Sequence, residues 1–262
     1  ISYLDEEYGS FKGAPKFPQF YMFDTIFYFY LKTSNQKYLI PVEKLLSNIS
    51  SKGVYDQLAG GIARYAVDEK WVIPHFEKML YDNIQYISLL TKFYQKTKKE
   101  YFKKKLIQTI KFINKEFKNK ENLYGSAYDA DSEGIEGKYY VWSYEELKKL
   151  LGNDFVLFEK KYEISNTGNF EGKNILVESK NELNEEEKNK IANIEDKLIQ
   201  EREKRIKPFF DDKSQTDLNA FILDTLISSS IVLEDNNLKN EAISALEILN
   251  NKLSNKIYHC YD

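Results

Sequence analysis

The chain has 262 residues, 30% of them charged, with a formal net charge of −3 and one cysteine, Cys260. This balance excludes a protein that grips nucleic acid or an anionic membrane through a basic surface. A single cysteine excludes an internal disulfide and is typical of a reducing compartment, so we predict a cytoplasmic location. The longest apolar run, residues 20–31, is shorter than the roughly 20 residues that a membrane span needs.

Apolar residues recur at steps of three and four along six segments, which predicts amphipathic helices. Ser143 with Glu146 and Asn184 with Glu187 form capping boxes, and Gly152 fits a helix end. Residues 20–31 are apolar nearly all round, which predicts a buried inner helix. The six periodic segments are 38–49, 80–94, 102–117, 191–198, 218–226 and 238–253.

Three loops and one charged segment separate or follow these helices. Residues 62–67 and 71–73 predict a hairpin that turns at Asp68-Glu69, and aromatic-rich strands flank an acidic turn within 123–142. The polar loop 166–174 is expected to be ordered by turn chemistry around Gly168 and Gly172. The charged stretch 182–207 is interpreted as a solvated helix face without a function.

About nine helices joined by short links favour stacked antiparallel helix pairs. A solenoid would show self-similarity at a fixed period, and none is found. We therefore predict an all-α fold, a closed or partly closed α/α toroid with short β-hairpin loops, spanning residues 1–262 as a single domain.

The segment 73–83 carries the strongest cluster of reactive side chains. Pro74 fits a helix start, which would place His75 at the beginning of that helix and on the same face as Asp82, about 10 Å away. His75 would then serve as a general base beside an acid. The alternative is that His75 caps the helix and Asp82 pairs with Lys78.

The same segment supplies Glu77 and Tyr81 on an adjacent helical stripe, followed by the amide of Asn83. A second cluster follows at Asp129 and Asp131, which point to one side of an extended segment. Paired carboxylates suit glycoside hydrolysis. The alternative is an acidic turn in which these aspartates bind their own backbone.

An EF-hand is rejected because Tyr140 occupies the position of its twelfth-residue glutamate. Two histidines and a lone cysteine predict no metal site, and no nucleotide-binding motif is present, so no cofactor is expected.

The stretch 53–73 contains Gly60-Gly61 and is called the Gly-Gly loop here. Within it, Arg64 precedes Tyr65 and lies upstream of Trp71. A guanidinium there suits a carboxylate or sugar hydroxyls, and the alternative is an ion pair with Asp56 or Asp68. Aromatic side chains such as Tyr65, Trp71 and Tyr140 are predicted either to line a sugar site or to belong to the core.

Taken together, the motifs of this chain resemble one protein family, in order along the sequence. The motifs are residues 13–18, 60–65, 74–83, 129–132, 168–174 and 211–213. The family is the spermatogenesis-associated-protein-twenty-like group of thioredoxin-domain-containing proteins, which includes the bacterial YyaL type. Pro-His-Phe-Glu-Lys-Met-Leu-Tyr-Asp-Asn, residues 74–83, is its most specific motif here.

This resemblance implies a six-hairpin toroid similar to those of N-acylglucosamine 2-epimerases and several glycosidases. In the family a thioredoxin-like domain precedes the toroid, and this chain is expected to lack that domain and the last hairpins. Leu218 and Ala220 stand where the family usually has Trp and Gly. The candidate pocket carried over from the family comprises Arg64, His75, Glu77, Tyr81, Asp82, Asn83, Asp129, Asp131 and Glu136.

Two functions remain open at this point. The first is a carbohydrate-active enzyme, glycosidase-like or epimerase-like, with a small-molecule ligand at the toroid mouth and no nucleic-acid or membrane partner. The second is a non-catalytic scaffold or binding module that serves the thioredoxin-like domain.

Overall fold

The computed structural model describes residues 3–253 and 259–261, and α-helices dominate it. A π-helical turn, Ile113–Phe117, extends α4, and a 3₁₀ turn, Gly152–Asp154, joins α5 to α6. The α-helices are α1 (Phe20–Thr33), α2 (Gln36–Ser51), α3 (Leu80–Thr97), α4 (Glu100–Phe112), α5 (Tyr144–Leu151), α6 (Phe155–Lys161), α7 (Glu185–Arg202), α8 (Thr216–Leu233) and α9 (Asn236–Leu253).

The strands have two residues each and pair in antiparallel fashion. β1 pairs with β2, β5 with β6 and β8 with β9, while β3, β4 and β7 form a three-stranded sheet. The strands are β1 (Tyr65–Ala66), β2 (Pro74–His75), β3 (Lys78–Met79), β4 (Ala127–Tyr128), β5 (Asp131–Ser132), β6 (Ile135–Glu136), β7 (Phe210–Asp211), β8 (Ser214–Gln215) and β9 (Cys260–Tyr261). The predicted all-α class with short β-hairpin loops is confirmed.

The chain folds into two compact units, and each is assembled from three separate segments. Unit 1 comprises residues 1–18, 43–76 and 130–209, and unit 2 comprises residues 19–42, 77–129 and 210–262. The division falls inside α2, so this helix contributes its first turns to unit 2 and the remainder to unit 1.

Unit 1 is built around an apolar cluster from α5, α6, α7 and the loops that precede them. Trp142, Phe158 and Leu198 are completely buried at its centre, and Leu58 joins it from the Gly-Gly loop. Both predicted capping boxes are confirmed at the starts of α5 and α7, and Gly152 ends α5 with a positive φ. These caps bind N–H groups that the first helical turn leaves without partners.

Unit 2 is built around α3, which contacts α1, α4 and α8. Two residues, Lys98 and Lys99, join α3 to α4, and Glu234 and Asp235 join α8 to α9, so both pairs are antiparallel hairpins. The ring of Phe93 on α3 lies 4.9 Å from that of Phe102 on α4. Predicted apolar stripes thus pack helix against helix, as their spacing requires.

The prediction that residues 20–31 form a buried inner helix is wrong in one respect. The helix exists as α1, but only Phe20, Phe23, Phe27 and Tyr30 are buried. Tyr21 is 64% exposed. The aromatic content of this segment exceeds what one buried stripe accommodates, because side chains three and four apart share a face and the others point away.

Within the described residues, one helix is long and apolar enough to cross a membrane by length and composition alone. It is α8, with a mean hydropathy of 1.3. Its apolar residues Ile222 and Leu226 are fully buried, and Ser229 Oγ lies 2.8 Å from Thr91 Oγ1 on α3. These contacts pack part of α8 inside unit 2, and 39% of the helix is buried.

Candidate active site

A histidine–carboxylate pair lies on the surface of unit 1. His75 Nδ1 is 2.8 Å from Glu136 Oε1, a hydrogen bond between β2 and β6. A carboxylate only accepts hydrogen bonds, so Nδ1 donates its proton to Glu136, and in the tautomer with that proton the ring's lone pair lies on Nε2. The side chains are 32% and 44% exposed, so solvent and solutes reach the pair.

Two aromatic rings support His75 from one side. The Tyr65 ring stacks on the imidazole with centroids 4.9 Å apart and planes 19° apart. The Phe17 ring in turn stacks on the Tyr65 ring, with centroids 4.8 Å apart. The register of β1 and β2 explains the contact, because Tyr65 lies directly opposite His75. Stacking and the Glu136 hydrogen bond together hold the imidazole in one orientation.

The β5–β6 hairpin brings a second carboxylate to Glu136. Asp131 is its cross-strand partner, and the two residues are exposed. Directly opposed residues in an antiparallel pair project from the same face, with Cβ atoms about 5 Å apart. The predicted acidic turn is present between these strands at Glu133 and Gly134, but the aromatic residues on either side pair elsewhere: Tyr128 joins β3 and β7, and Trp142 bridges to Asn174.

The prediction that Pro74 starts a helix is wrong. Pro74 and His75 form β2, and the next helix begins at Leu80. Proline is tolerated at a helix start and at the first residue of a strand for the same reason, the missing N–H, and the sequence does not separate the two. His75 and Asp82 therefore do not share a helix face, and Lys78 lies in β3 rather than one helical turn before Asp82.

The predicted site residues divide between the two units. Unit 1 contains Arg64, Tyr65, Trp71, His75, Asp131, Glu136 and Tyr140. Unit 2 contains Glu77, Tyr81, Asp82, Asn83 and Asp129. Geometry brings His75, Glu136 and Tyr65 together, and places Asp131 opposite Glu136.

Trp71 and Tyr140 both pack against other side chains of unit 1. Trp71 is completely buried, its Nε1 donates to Tyr8 O at 2.8 Å, and the buried ammonium of Lys16 lies 5.6 Å from its ring. Tyr140 is half-buried and stacks on Phe76 at 5.7 Å. Arg64 is half-buried in the Gly-Gly loop. Their contact with a ligand remains a prediction. The structure shows that Trp71 and Tyr140 contribute to the packing of unit 1.

In unit 2, the predicted residues surround the start of α3. Asn83 is fully buried and its Nδ2 donates to Met79 O at 2.9 Å. Asp82 lies in the first turn of α3, where the helix dipole favours a carboxylate, and it is half-buried along with Glu77 and Tyr81. Asp129 follows β4 and is exposed. Their catalytic roles stay predictions.

The interpretation of residues 182–207 as a solvated face missed two arginines. Arg202 is buried at the end of α7, and its Nη1 donates to Asp56 Oδ1 at 2.9 Å. Arg205 lies 3.9 Å above the Trp142 ring and donates to Tyr139 O at 2.9 Å. The sequence did contain one sign of their special role. The chain has only three arginines and uses lysine for nearly all its other basic residues, so an arginine is unusual at any position.

Among the described residues, no group of three or more histidine, cysteine or acidic side chains has the arrangement of a metal site. His259 is exposed and belongs to unit 2. At the position where the resemblance leads one to expect Ser-Trp-Asn-Gly, Asn219 is buried and holds Tyr124 through two hydrogen bonds, accepting from its N at 2.8 Å and donating to its O at 2.9 Å. That asparagine therefore has a structural role.

Fold and site together describe an all-α protein of helical hairpins that carries an exposed histidine–carboxylate pair. Human Spermatogenesis-associated protein 20 is 27% identical to the chain in an alignment 287 positions long, gaps included, that covers 94% of the chain and 36% of that relative. The mouse protein of the same name is 32% identical in an alignment of 188 positions that covers 63% of the chain and 23% of the relative. The predicted resemblance is confirmed: the chain is similar to proteins named Spermatogenesis-associated protein 20.

The chain spans about a third or less of the length of these relatives. No family model matches it. Similar solved structures include a glycoside hydrolase family 76 mannosidase from Bacteroides thetaiotaomicron, at 9% identity and a TM-score of 0.48, covering 89% of this chain and 43% of that one. A cellobiose 2-epimerase from Bacillus thermoamylovorans aligns at 16% identity and a TM-score of 0.42, covering 96% and 68%.

Proposed function

We propose that this chain carries out acid–base chemistry on a carbohydrate, with His75 as the proton-transferring group. The observation that carries this proposal is the 2.8 Å hydrogen bond from His75 Nδ1 to Glu136. It leaves Nε2 to take a proton from a substrate C–H or O–H, as an epimerase or isomerase requires. Glu136 and Tyr65 act as positioning residues that hold the tautomer and the ring plane.

The choice of sugars as substrates follows from two features of the same surface. Asp131 and Glu136 oppose each other across β5 and β6, which is the kind of carboxylate pair that glycoside hydrolysis uses. Exposed Phe17 and half-buried Tyr65 offer aromatic surface beside them. The family resemblance adds the toroids of sugar epimerases and glycosidases as the related folds.

The experiment is a search for catalysis with defined sugars, followed by variants of the pair. Mannose, N-acetylglucosamine and cellobiose are incubated with the chain in D₂O, and NMR follows deuterium uptake at C2. Release of nitrophenol from nitrophenyl mannosides and glucosides reports hydrolysis. His75→Asn keeps an amide nitrogen near the Nδ1 position and removes Nε2, so the contact with Glu136 is retained while the base is lost.

We expect His75→Asn to lower the rate by about 10²- to 10⁴-fold and Glu136→Gln to lower it less. Glu145→Gln, an exposed glutamate on α5, is the matched control and should leave the rate unchanged. Full activity of His75→Asn would refute the proposed role. Absence of turnover with every probe, together with a large drop in melting temperature for His75→Asn, would favour the second candidate.

That second candidate is a binding module that serves a thioredoxin-like domain. The buried Arg202–Asp56 ion pair favours it, because this pair ties the Gly-Gly loop to α7 without presenting either charge to solvent. A purely structural network does not require exposed side chains, whereas His75 and Glu136 are partly exposed, and this favours the enzyme. Enzyme chemistry is therefore the proposal that the geometry supports best.

A further inference from the structure

A cavity of about 370 Å³ opens on unit 1, apart from the His75–Glu136 pair. Its apolar wall consists of Tyr139, Val141 and Ile206. Ser132 closes one side and donates from Oγ to Ile206 O at 2.5 Å. Tyr139 is one of the aromatic residues that the sequence predicts either to line a sugar site or to belong to the core. The volume lies in the lower part of the range that small-ligand sites occupy.

The charges at this cavity are unbalanced. Four cationic side chains line it, against two carboxylates, in a chain whose net charge is −3. The cations are Lys138, Lys173, Lys204 and Arg205, and the carboxylates are Glu133 and Glu146. The cations come from the loop after β6, the 166–174 loop and the residues after α7, so only folding brings them together.

Arg205 forms the rigid part of the rim. Its guanidinium stacks 3.9 Å above Trp142, donates through Nη1 to the carbonyls of Tyr139 and Val141, and through Nη2 to Glu146 at 2.8 Å. These contacts fix its position before any ligand arrives. A preorganised positive charge over an apolar wall is the arrangement that favours an anion with an organic body.

Lys173 supplies the charge that remains open. Lys138 pairs with Glu133 at 2.7 Å and Lys204 with Glu201 at 2.7 Å. Across the described part of the chain, the Lys173 ammonium has no carboxylate partner. Its backbone is held by hydrogen bonds with Phe170, Lys173 N donating to Phe170 O at 2.8 Å. A lysine ammonium on a fixed backbone binds phosphate or carboxylate as a point charge.

We propose that this cavity binds a small organic anion, a phosphate or carboxylate group carried on a body of monosaccharide size. Lys173 and its neighbouring lysines contact the anionic group, and the body lies against Tyr139 and Val141. The site uses different residues from the proposed acid–base pair, so it stands or falls independently of that function.

Isothermal titration calorimetry with glucose 6-phosphate, glucuronate and glucose tests the proposal on the whole chain. We expect one of the two anions to bind with a Kd below about 1 mM, and glucose to bind at least about tenfold more weakly. Raising the salt from about 50 to about 300 mM should weaken the anion further, since the charges lie at the surface. The tighter anion identifies whether phosphate or carboxylate is recognised.

Lys173→Gln should weaken binding about fivefold or more, whereas Lys148→Gln, an exposed lysine on α5 outside the cavity, should leave it unchanged. Both substitutions lie at exposed positions and leave the core intact. Binding by Lys173→Gln equal to the wild type would overturn the proposal, as would equal affinity for glucose. Inorganic phosphate binding as tightly as glucose 6-phosphate would overturn the role of the apolar wall.

Discussion

Arg202 shows how one residue can join distant parts of unit 1. Its side chain is 4% exposed, and that of Asp56 is 6% exposed. Burial opposes the charged form of the arginine, but the charge and hydrogen bond of Asp56 outweigh it and raise the pKa of Arg202 above its ordinary value. Asp56 Oδ1 also accepts from Leu58 N and Ala59 N, both at 3.2 Å. The pair therefore orders the Gly-Gly loop.

We expect Arg202→Met to lower the free energy of unfolding by about 3 to 5 kcal/mol, because it leaves the Asp56 carboxylate buried without its cation. Urea denaturation followed by circular dichroism measures the change. Lys204→Met is the control, since Lys204 forms an exposed pair with Glu201 and should cost less than about 1 kcal/mol. A loss for Arg202→Met no larger than that of the control would contradict the structural role of the pair.

Among the loops and helices, the segment 166–174 shows how turn chemistry orders a polar loop. Asn169 Oδ1 accepts from Ile175 N at 2.8 Å, and Asn174 Oδ1 accepts from Ser165 N at 2.9 Å. Gly168 and Gly172 both have a positive φ, +69° and +74°. A Cβ on Gly168 would lie 2.2 Å from Lys173 O, whereas one on Gly172 would meet nothing within 4 Å.

These two glycines form a matched pair for mutation. Gly172→Ala should cost about 1 to 2 kcal/mol, which is the strain of the left-handed backbone alone. Gly168→Ala carries the same strain and also a backbone clash, so its loss of stability should be clearly larger. Thermal unfolding of the two variants side by side measures the difference, and equal melting temperatures would show that the loop relaxes around the added methyl group.

At the scale of the whole molecule, each compact unit is discontinuous in sequence. In unit 1 the α5–α7 segment packs against Leu58, Arg202 binds Asp56, and Phe76 packs with Val141 and Ile175. Residues 130–209 therefore depend on residues 43–76 for part of their core. Cores assembled in this way lose buried apolar area when one segment is absent.

We expect a fragment of residues 130–209 to lack a cooperative urea transition, because its main apolar cluster is left open where the 43–76 segment packs. Circular dichroism and the dispersion of amide proton signals report the outcome. Restoration of a cooperative transition by adding a peptide of residues 43–76 would support the interpretation. A fragment that unfolds cooperatively alone would show that the α5–α7 segment is self-sufficient.

Local patterns in the sequence determined the helices and their caps. Apolar spacing predicted α2, α3, α4, α7, α8 and α9, and the two capping boxes predicted the starts of α5 and α7. These features depend on groups within four residues of one another, so a contiguous stretch contains all the information. The family motifs marked His75 and Glu136 for the same candidate pocket without indicating how they meet.

Only the tertiary structure decided the pairings. His75 meets Glu136 across 61 residues and Arg202 meets Asp56 across 146, and no local pattern encodes such distances. The tertiary structure also decided that Pro74 begins a strand and that half of α1 faces outward. The physical reason is that a side chain's partner depends on which segments the chain brings together. Closing those long loops is compensated by burial spread over the whole unit rather than by the residues that finally touch.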